Sequence, residues 1–242
     1  MSEQKAPRGD QGANTKGSQR LLADPRAAWE ALVASPYARL ALKAGPGFYS
    51  KLAERISPAD NAWVLNVGCA GGVLDVSLAE RFPAAYFTGV DESEAQIRQA
   101  NHLGEKRLAA NCSFVRANPT RLPFAEAFFD VALSVSSLCS WRDSKRCLHE
   151  MRRVLVADGL VWVAELDIDH TEQEIAVLVA AIRKSSLSFM VLPSGRHTRR
   201  ALLEQGVSRQ EAADLAWAAS LKDVTTERIG GGLPIFVLRA RK

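Results

Sequence analysis

The chain has 242 residues, 47% of them hydrophobic and 24% charged. That balance is near the average for a globular protein and excludes a wholly disordered chain, a coiled coil and a collagen-like repeat. The formal net charge is only +4, and the basic residues form small scattered groups (Arg196, Arg199 and Arg200; Arg239, Arg241 and Lys242). A nucleic-acid binder clusters such charge on one face, so none is expected as a partner.

Four cysteines, at positions 69, 112, 139 and 147, make no C-x-x-C pair, and the four histidines are dispersed. No metal site is expected, because zinc needs clustered ligands. The longest apolar run is Ile175 to Ile182, too short for a bilayer, and no apolar core follows the first basic residues. With few cysteines, the expected setting is the cytoplasm, away from membranes.

Residues 1–20 are polar, lack periodicity and read as a disordered tail. Asp24 and Pro25 form an N-cap followed by a first-turn proline, and Trp29, Leu32 and Val33 supply a buried stripe. A second helix is expected over 47–56. These N-terminal helices (21–60) precede the first strong strand and could cover its mouth.

From Asn61 the pattern alternates. A strand over 62–67 leads through a glycine-rich turn into a helix over 72–82, then a strand over 85–90 ends at Asp91. Ser93 and Gln96 form a capping box that opens a helix to about residue 110. Strands follow over 113–116, 129–135 and 160–165, with a helix over 145–155 before the last. Apolar strands alternating with helices predict a parallel sheet covered on both faces, an α/β doubly wound, Rossmann-like core over 61–168.

After Glu165 the rhythm breaks. Capping boxes at Thr171 and Glu174, and at Ser208 and Glu211, frame a helical lid or substrate insert over 169–222. Strands over 224–229 and 235–238, joined through Gly230, Gly231, Gly232 and Pro234, predict a closing β-hairpin within 223–242. This hairpin completes a mostly parallel, seven-stranded sheet with an antiparallel strand.

The turn Val64-Leu65-Asn66-Val67-Gly68-Cys69-Ala70-Gly71-Gly72 joins a strand to a helix. Glycines there permit a sharp turn and close approach of a ligand to the main chain, beside open N–H groups at the helix start. Asp91 ends the next strand, nineteen residues after Gly72. A carboxylate at that distance can hold both ribose hydroxyls of a nucleoside. A dinucleotide fingerprint would place glycines at Gly68, Ala70 and Val73, and only the first is glycine. The spacing instead fits G-x-G-x-G with Ala70 in the middle.

On these residues the chain resembles the class I S-adenosylmethionine-dependent methyltransferases, in their small-molecule (methyltransferase type 11-like) branch. The resemblance runs from about Asn61 to Glu165. It rests on Val64 to Gly72, on Gly89-Val90-Asp91-Glu92-Ser93, and on Ala117 to Phe124 followed by Phe128-Phe129-Asp130-Val131. It extends through Leu148 to Leu155 with Asp158-Gly159-Leu160. The cofactor it implies is S-adenosylmethionine, and the partner a small-molecule methyl acceptor.

The resemblance implies that Gly68, Cys69, Ala70 and Gly72 pass beneath the methionine part and the ribose, and that Asp91 holds the ribose hydroxyls. Glu92 and Gln96 would flank ribose and adenine, and Asn118 would reach the adenine amino group with Pro119 packed nearby. Backbone around Ser134 and Val135 would meet the methionyl amino group, and Tyr37 or Tyr49 would close over that end.

Asn66 stands where the family usually has an acid, Ala70 where it has glycine and Asn118 where it has aspartate. Both asparagines keep a carbonyl acceptor, so the expected loss is about 1 kcal/mol per charge-assisted bond. Histidines frequent after strand four are replaced by Ser137-Leu138-Cys139-Ser140-Trp141.

Methyl transfer needs a general base only where the acceptor must lose a proton. Asp167, His170 and His197 are the candidates, each also readable as a surface or capping residue. Cys69 and Cys139 read as small apolar filler. Trp141, Phe189, Met190 and Leu192 could line an acceptor pocket or simply pack. Arg196, His197, Arg199 and Arg200 could draw an anionic acceptor or form a solvated helix face. The alternatives to an enzyme of this kind are a cofactor-binding partner subunit with little catalysis and a nicotinamide-dependent oxidoreductase.

Overall fold

The protein is described from a computed structural model covering residues 55–171, 173–174, 176–177, 206–229 and 234–242. Tyr37, Tyr49, His197, Phe189, Met190 and Leu192 lie outside these residues, as do the expected tail, most of the N-terminal helices and much of the insert.

The elements in chain order are β1 (Trp63–Val67), α1 (Val73–Arg81), β2 (Tyr86–Asp91), α2 (Glu94–Arg107), β3 (Cys112–Arg116) and β4 (Phe129–Val135). A single 3-10 turn (Leu138–Ser140), α3 (Ser144–Val154), β5 (Leu155–Leu166), α4 (Arg209–Ala218), β6 (Lys222–Arg228) and β7 (Ile235–Arg241) follow. The strands form one sheet in the order β3-β2-β1-β4-β5-β7-β6. β1 to β5 pair in parallel, and β7 runs antiparallel between β5 and β6. The hairpin is therefore folded back so that its second strand, the more apolar one, fills the interior position. Polar β6 is left at one edge and β3, with no fully buried residue, at the other. Polar edges resist pairing with another chain.

Alternation along the central strands feeds two cores. Leu65, Val67, Phe129, Ala132, Val161, Val163, Phe236 and Leu238 face one layer, where Leu148, Met151 and Val154 of α3 meet them. Val64, Val131, Leu133, Trp162, Ala164 and Val237 face the other, against Leu74, Leu78 and Ala79 of α1. Period-two strands buried on both faces look continuously apolar in sequence, which is why they were readable.

Two expectations change. β5 begins at Leu155 rather than residue 160, because Asp158 adopts a left-handed conformation (φ 59°) and the strand absorbs residues 156–159 as an irregularity in its pairing with β4. The insert also loses its last helix to the core: Ala212 and Ala216 of α4 lie buried in the layer with α3. Alanines let that helix press closely onto its neighbours. No helix among the described residues is long and apolar enough to cross a membrane.

Candidate functional site

The strand order reverses between β1 and β4, and open α/β sheets bind ligands outside the carboxyl ends of strands at such a point. The loop from Gly68 to Gly72 occupies it. The Gly68 and Cys69 amides both donate to the Val90 carbonyl, at 2.8 and 2.9 Å, which pins the loop to the end of β2. Gly68 (φ 84°) and Gly72 (φ 74°) take left-handed conformations. A Cβ on Gly68 would lie 2.3 Å from Ser137 Oγ, and one on Gly72 would lie 2.6 Å from Phe114 Cζ. Ala70 also has positive φ (46°), a conformation that costs a side-chain-bearing residue about 1–2 kcal/mol.

Asp91 explains how that strain is held. One carboxylate oxygen accepts from the Ala70 amide (3.0 Å) and the other from the Ser93 amide (2.9 Å). The acid thus joins the glycine loop to the start of α2. Burial raises its pKa, partly offset by the two amides. Ser93 Oγ caps α2 through the Gln96 amide at 3.4 Å, and Glu92 and Gln96 are partly exposed beside it.

A pocket of roughly 50 Å³ opens at this loop, lined by Asn66, Gly68, Cys69, Ala70, Gly71, Val73, Leu74 and Val135. Asn66 is buried, and its Nδ2 donates to Asp75 Oδ2 at 2.8 Å. Its Oδ1 is buried without a partner. Burial pushes the Asp75 carboxyl up to about 7, against the opposing hydrogen bond from Asn66. Beneath the pocket, Ser134 Oγ donates to the Val67 carbonyl (2.8 Å) and so ties β4 to β1.

Glu165, fully buried near the end of β5, accepts from the amides of Ser137 and Leu138 at 2.8 and 2.7 Å. It thereby sets the turn that carries Ser137 under Gly68. Its second oxygen is buried and unpartnered, and burial raises its pKa to about 7. On the other side of the site, buried Glu150 of α3 accepts from the Leu122 amide (2.9 Å) and pairs with Arg153 (2.9 Å). Arg153 in turn donates to the carbonyls of Phe124 and Leu122. This clamp shapes the segment after β3. There Pro119 is buried, and exposed Asn118 spends its carbonyl on the Thr120 amide and hydroxyl, at 2.8 and 2.7 Å. The Asn118 carbonyl is thus engaged within its own turn, and its amide NH2 group is the end that Thr120 leaves open.

Asp167 is fully buried, and one oxygen pairs with both Arg228 (3.0 Å) and Arg209 (3.1 Å). The other accepts from the Asp169 amide at 3.0 Å. It is an anchor, and abstracting a proton would break that set of partners. His170 lies beyond it, with Nδ1 2.8 Å from the Asp167 carbonyl. A carbonyl only accepts, so Nδ1 carries a proton, and in the neutral ring Nε2 is then the nitrogen with the lone pair. Burial pushes the Cys139 and Cys147 thiols up to about 12 and raises Cys69 and Cys112 as well. They behave as filler rather than as thiolates.

Sequence reasoning did not single out Asp75, Glu150 or Ser137 as site residues, and it used Glu165 only as a strand end. A buried-type helix face carrying an acid, at Asp75 and at Glu150, was the available signal.

The architecture and loop define a pocket at the carboxyl ends of the strands of an open α/β sheet. Residues 65–163 match the methyltransferase-domain family. The O-methyltransferase resE of Aspergillus sclerotiorum is 30% identical over 68% of this chain and 62% of its own length. The O-methyltransferase cnsE of Penicillium expansum is 33% identical over 48% of this chain and 42% of its own. A SAM-dependent methyltransferase structure from Thermotoga maritima superposes with a TM-score of 0.62 at 19% identity, covering 88% of this chain and 98% of that one. The matched segment thus spans about half the length of the curated relatives. Over residues 65–163 the chain is thus similar to the class I S-adenosylmethionine-dependent methyltransferases.

Proposed function

We propose that this chain transfers the methyl group of S-adenosylmethionine to a hydroxyl of a small-molecule acceptor. The observation that carries the reading is the glycine loop locked to Asp91 beside a pocket holding a buried, unpartnered Asn66 carbonyl. An orphaned buried acceptor is costly unless something donates to it, and the methionyl ammonium suits it. The names of the relatives favour oxygen as the methylated atom.

When bound, the cofactor supplies a methyl on a sulfonium, already activated for in-line displacement. The chain's task is then alignment and exclusion of water. Gly68, Cys69, Ala70 and Gly72 admit the ligand against the main chain, and Asp91 orients the ribose with lone pairs not used by Ala70 and Ser93. Gln96, Glu92, Asn118 and Pro119 border the adenine side. Ser134 holds β4 against β1 so that the Val135 backbone faces the methionyl end. His170, with Nε2 as acceptor, takes the hydroxyl proton.

Calorimetry with S-adenosylhomocysteine tests the cofactor half. Asp91→Ala is expected to weaken binding at least tenfold, about 1.4 kcal/mol. Affinity for NAD in place of the adenosyl ligand would return the chain to the oxidoreductase alternative. Labelled cofactor with a panel of hydroxylated acceptors tests the other half, with His170→Gln expected to lower kcat and leave cofactor affinity intact. Tight binding without turnover on any acceptor would favour the partner-subunit alternative.

A further inference from the structure

Asp75 and Asn66 form a buried polar pair that the packing of α1 against β1 does not need. Asp75 sits in the first turn of α1 with 1% exposure, and Asn66 in β1 with 4%. With Asp75 ionised, above about pH 7, the 2.8 Å bond from Asn66 Nδ2 to Asp75 Oδ2 fixes which way the amide faces, because a carboxylate can only accept. The carbonyl end is thereby held away from Asp75, and it finds no partner although Asn66 lines the pocket. Among the described residues, the titratable groups electrostatically coupled to Asp75 are the thiols of Cys69 and Cys112, which burial keeps neutral. No cation answers this carboxyl within the described structure. Two apolar residues of similar size would pack here at less cost. The arrangement makes sense when a donor carrying positive charge completes it.

Resting on the cofactor reading above, we propose that Asp75 positions the methionyl ammonium of the cofactor through Asn66, orienting the amide whose carbonyl oxygen takes that ammonium. The negative charge that the resemblance places on the strand is displaced by one hydrogen bond onto the helix. Of the N–H donors that the cofactor offers, the adenine amino group is neutral and the ammonium is cationic. A carboxyl behind the amide selects the cation, because it polarises the carbonyl and attracts the charge through a buried, low-dielectric path.

The test compares two ligands by calorimetry: S-adenosylhomocysteine, which carries the ammonium, and 5′-methylthioadenosine, which lacks the amino-acid portion. Asp75→Asn is expected to weaken S-adenosylhomocysteine at least tenfold and to leave 5′-methylthioadenosine within about twofold. The exchange Asn66→Asp with Asp75→Asn restores an acid on the strand and is expected to recover the first ligand. Equal losses for both ligands would show a merely structural role and overturn the inference. Tighter S-adenosylhomocysteine binding by Asp75→Asn would mean that the ligand's carboxylate lies there, and would overturn it too. Should Asp75→Asn fail to fold, the exchange variant decides: native preference for the first ligand supports the inference, and loss of that preference in a folded protein sinks it. Binding of neither ligand by the native chain removes the cofactor reading itself, whereas binding of both with an unchanged ratio in Asp75→Asn removes this inference alone.

Discussion

Asp75 and Glu165 each hold a carboxyl whose pKa burial raises to about 7, from ordinary values of 3.8 and 4.5. Between those limits the folded protein keeps protons that the unfolded chain releases. Each group therefore contributes stability that is complete below its unfolded pKa and is lost as pH rises through about 7. Glu150 works the other way. Arg153 holds its carboxyl below the usual range, so its contribution is present above the ordinary value and lost as the solution turns acid. The net expectation is stability that declines from about pH 5 to about pH 8, by on the order of 5 kcal/mol for the two groups together. Urea midpoints across that range check it. Glu165→Gln removes one titration while keeping an acceptor for the Ser137 and Leu138 amides, so its curve should be flatter than the native one. Parallel curves would mean that Glu165 does not titrate in this window.

The loop between β1 and α1 concentrates its demands on a few backbone positions. Gly72 combines a left-handed conformation with a Cβ direction blocked by Phe114 and Ala100. Gly72→Ala therefore meets a conformational cost and an overpacking cost together, about 2–4 kcal/mol. Its thermal midpoint should fall, and cofactor affinity with it, because the same loop frames the pocket. A variant with unchanged melting would show that Phe114 swings aside freely. This element was legible beforehand, since a glycine-rich turn between an apolar strand and a helix is a local pattern. The central strands were legible for the same kind of reason, being apolar on both faces. The Asn66–Asp75 bond was not, because it spans from strand to helix and obeys no local period. The Glu150–Arg153 clamp was half visible: the two residues share one face of α3, but the Leu122 and Phe124 carbonyls that they hold lie across the fold. α4 was misassigned to the insert because its buried face is alanine, which gives only a weak apolar stripe.

At the scale of the whole molecule, the seam lies where the parallel strands meet the closing hairpin. Arg228 at the end of β6 donates to Asp167 Oδ2 at 3.0 Å and to Glu174 Oε1 at 2.7 Å, and also binds the Asp169 carbonyl. Arg209 at the start of α4 approaches the same Asp167 oxygen, and Val207 forms a bridge with Asp167 through the backbone. One buried acid thus joins the exit of β5, the hairpin and α4. Such a group is expensive when stripped of its partner, because an uncompensated charge is left inside; losses of 3–5 kcal/mol are typical. Arg228 is one-third exposed and Arg209 remains to share the charge, so Arg228→Met should cost somewhat less, about 2–3 kcal/mol. In a chain of this length that is a fall in melting temperature of about 4–12 °C. Adding Asp167→Asn to Arg228→Met removes the stranded charge, and the double variant should regain part of the loss. The pair thereby separates two roles for Asp167. If it is an anchor, the double variant melts above Arg228→Met and retains methyl transfer. If it were the proton acceptor, the double variant would lose turnover while its stability recovered, and the base would have to be reassigned from His170 to Asp167.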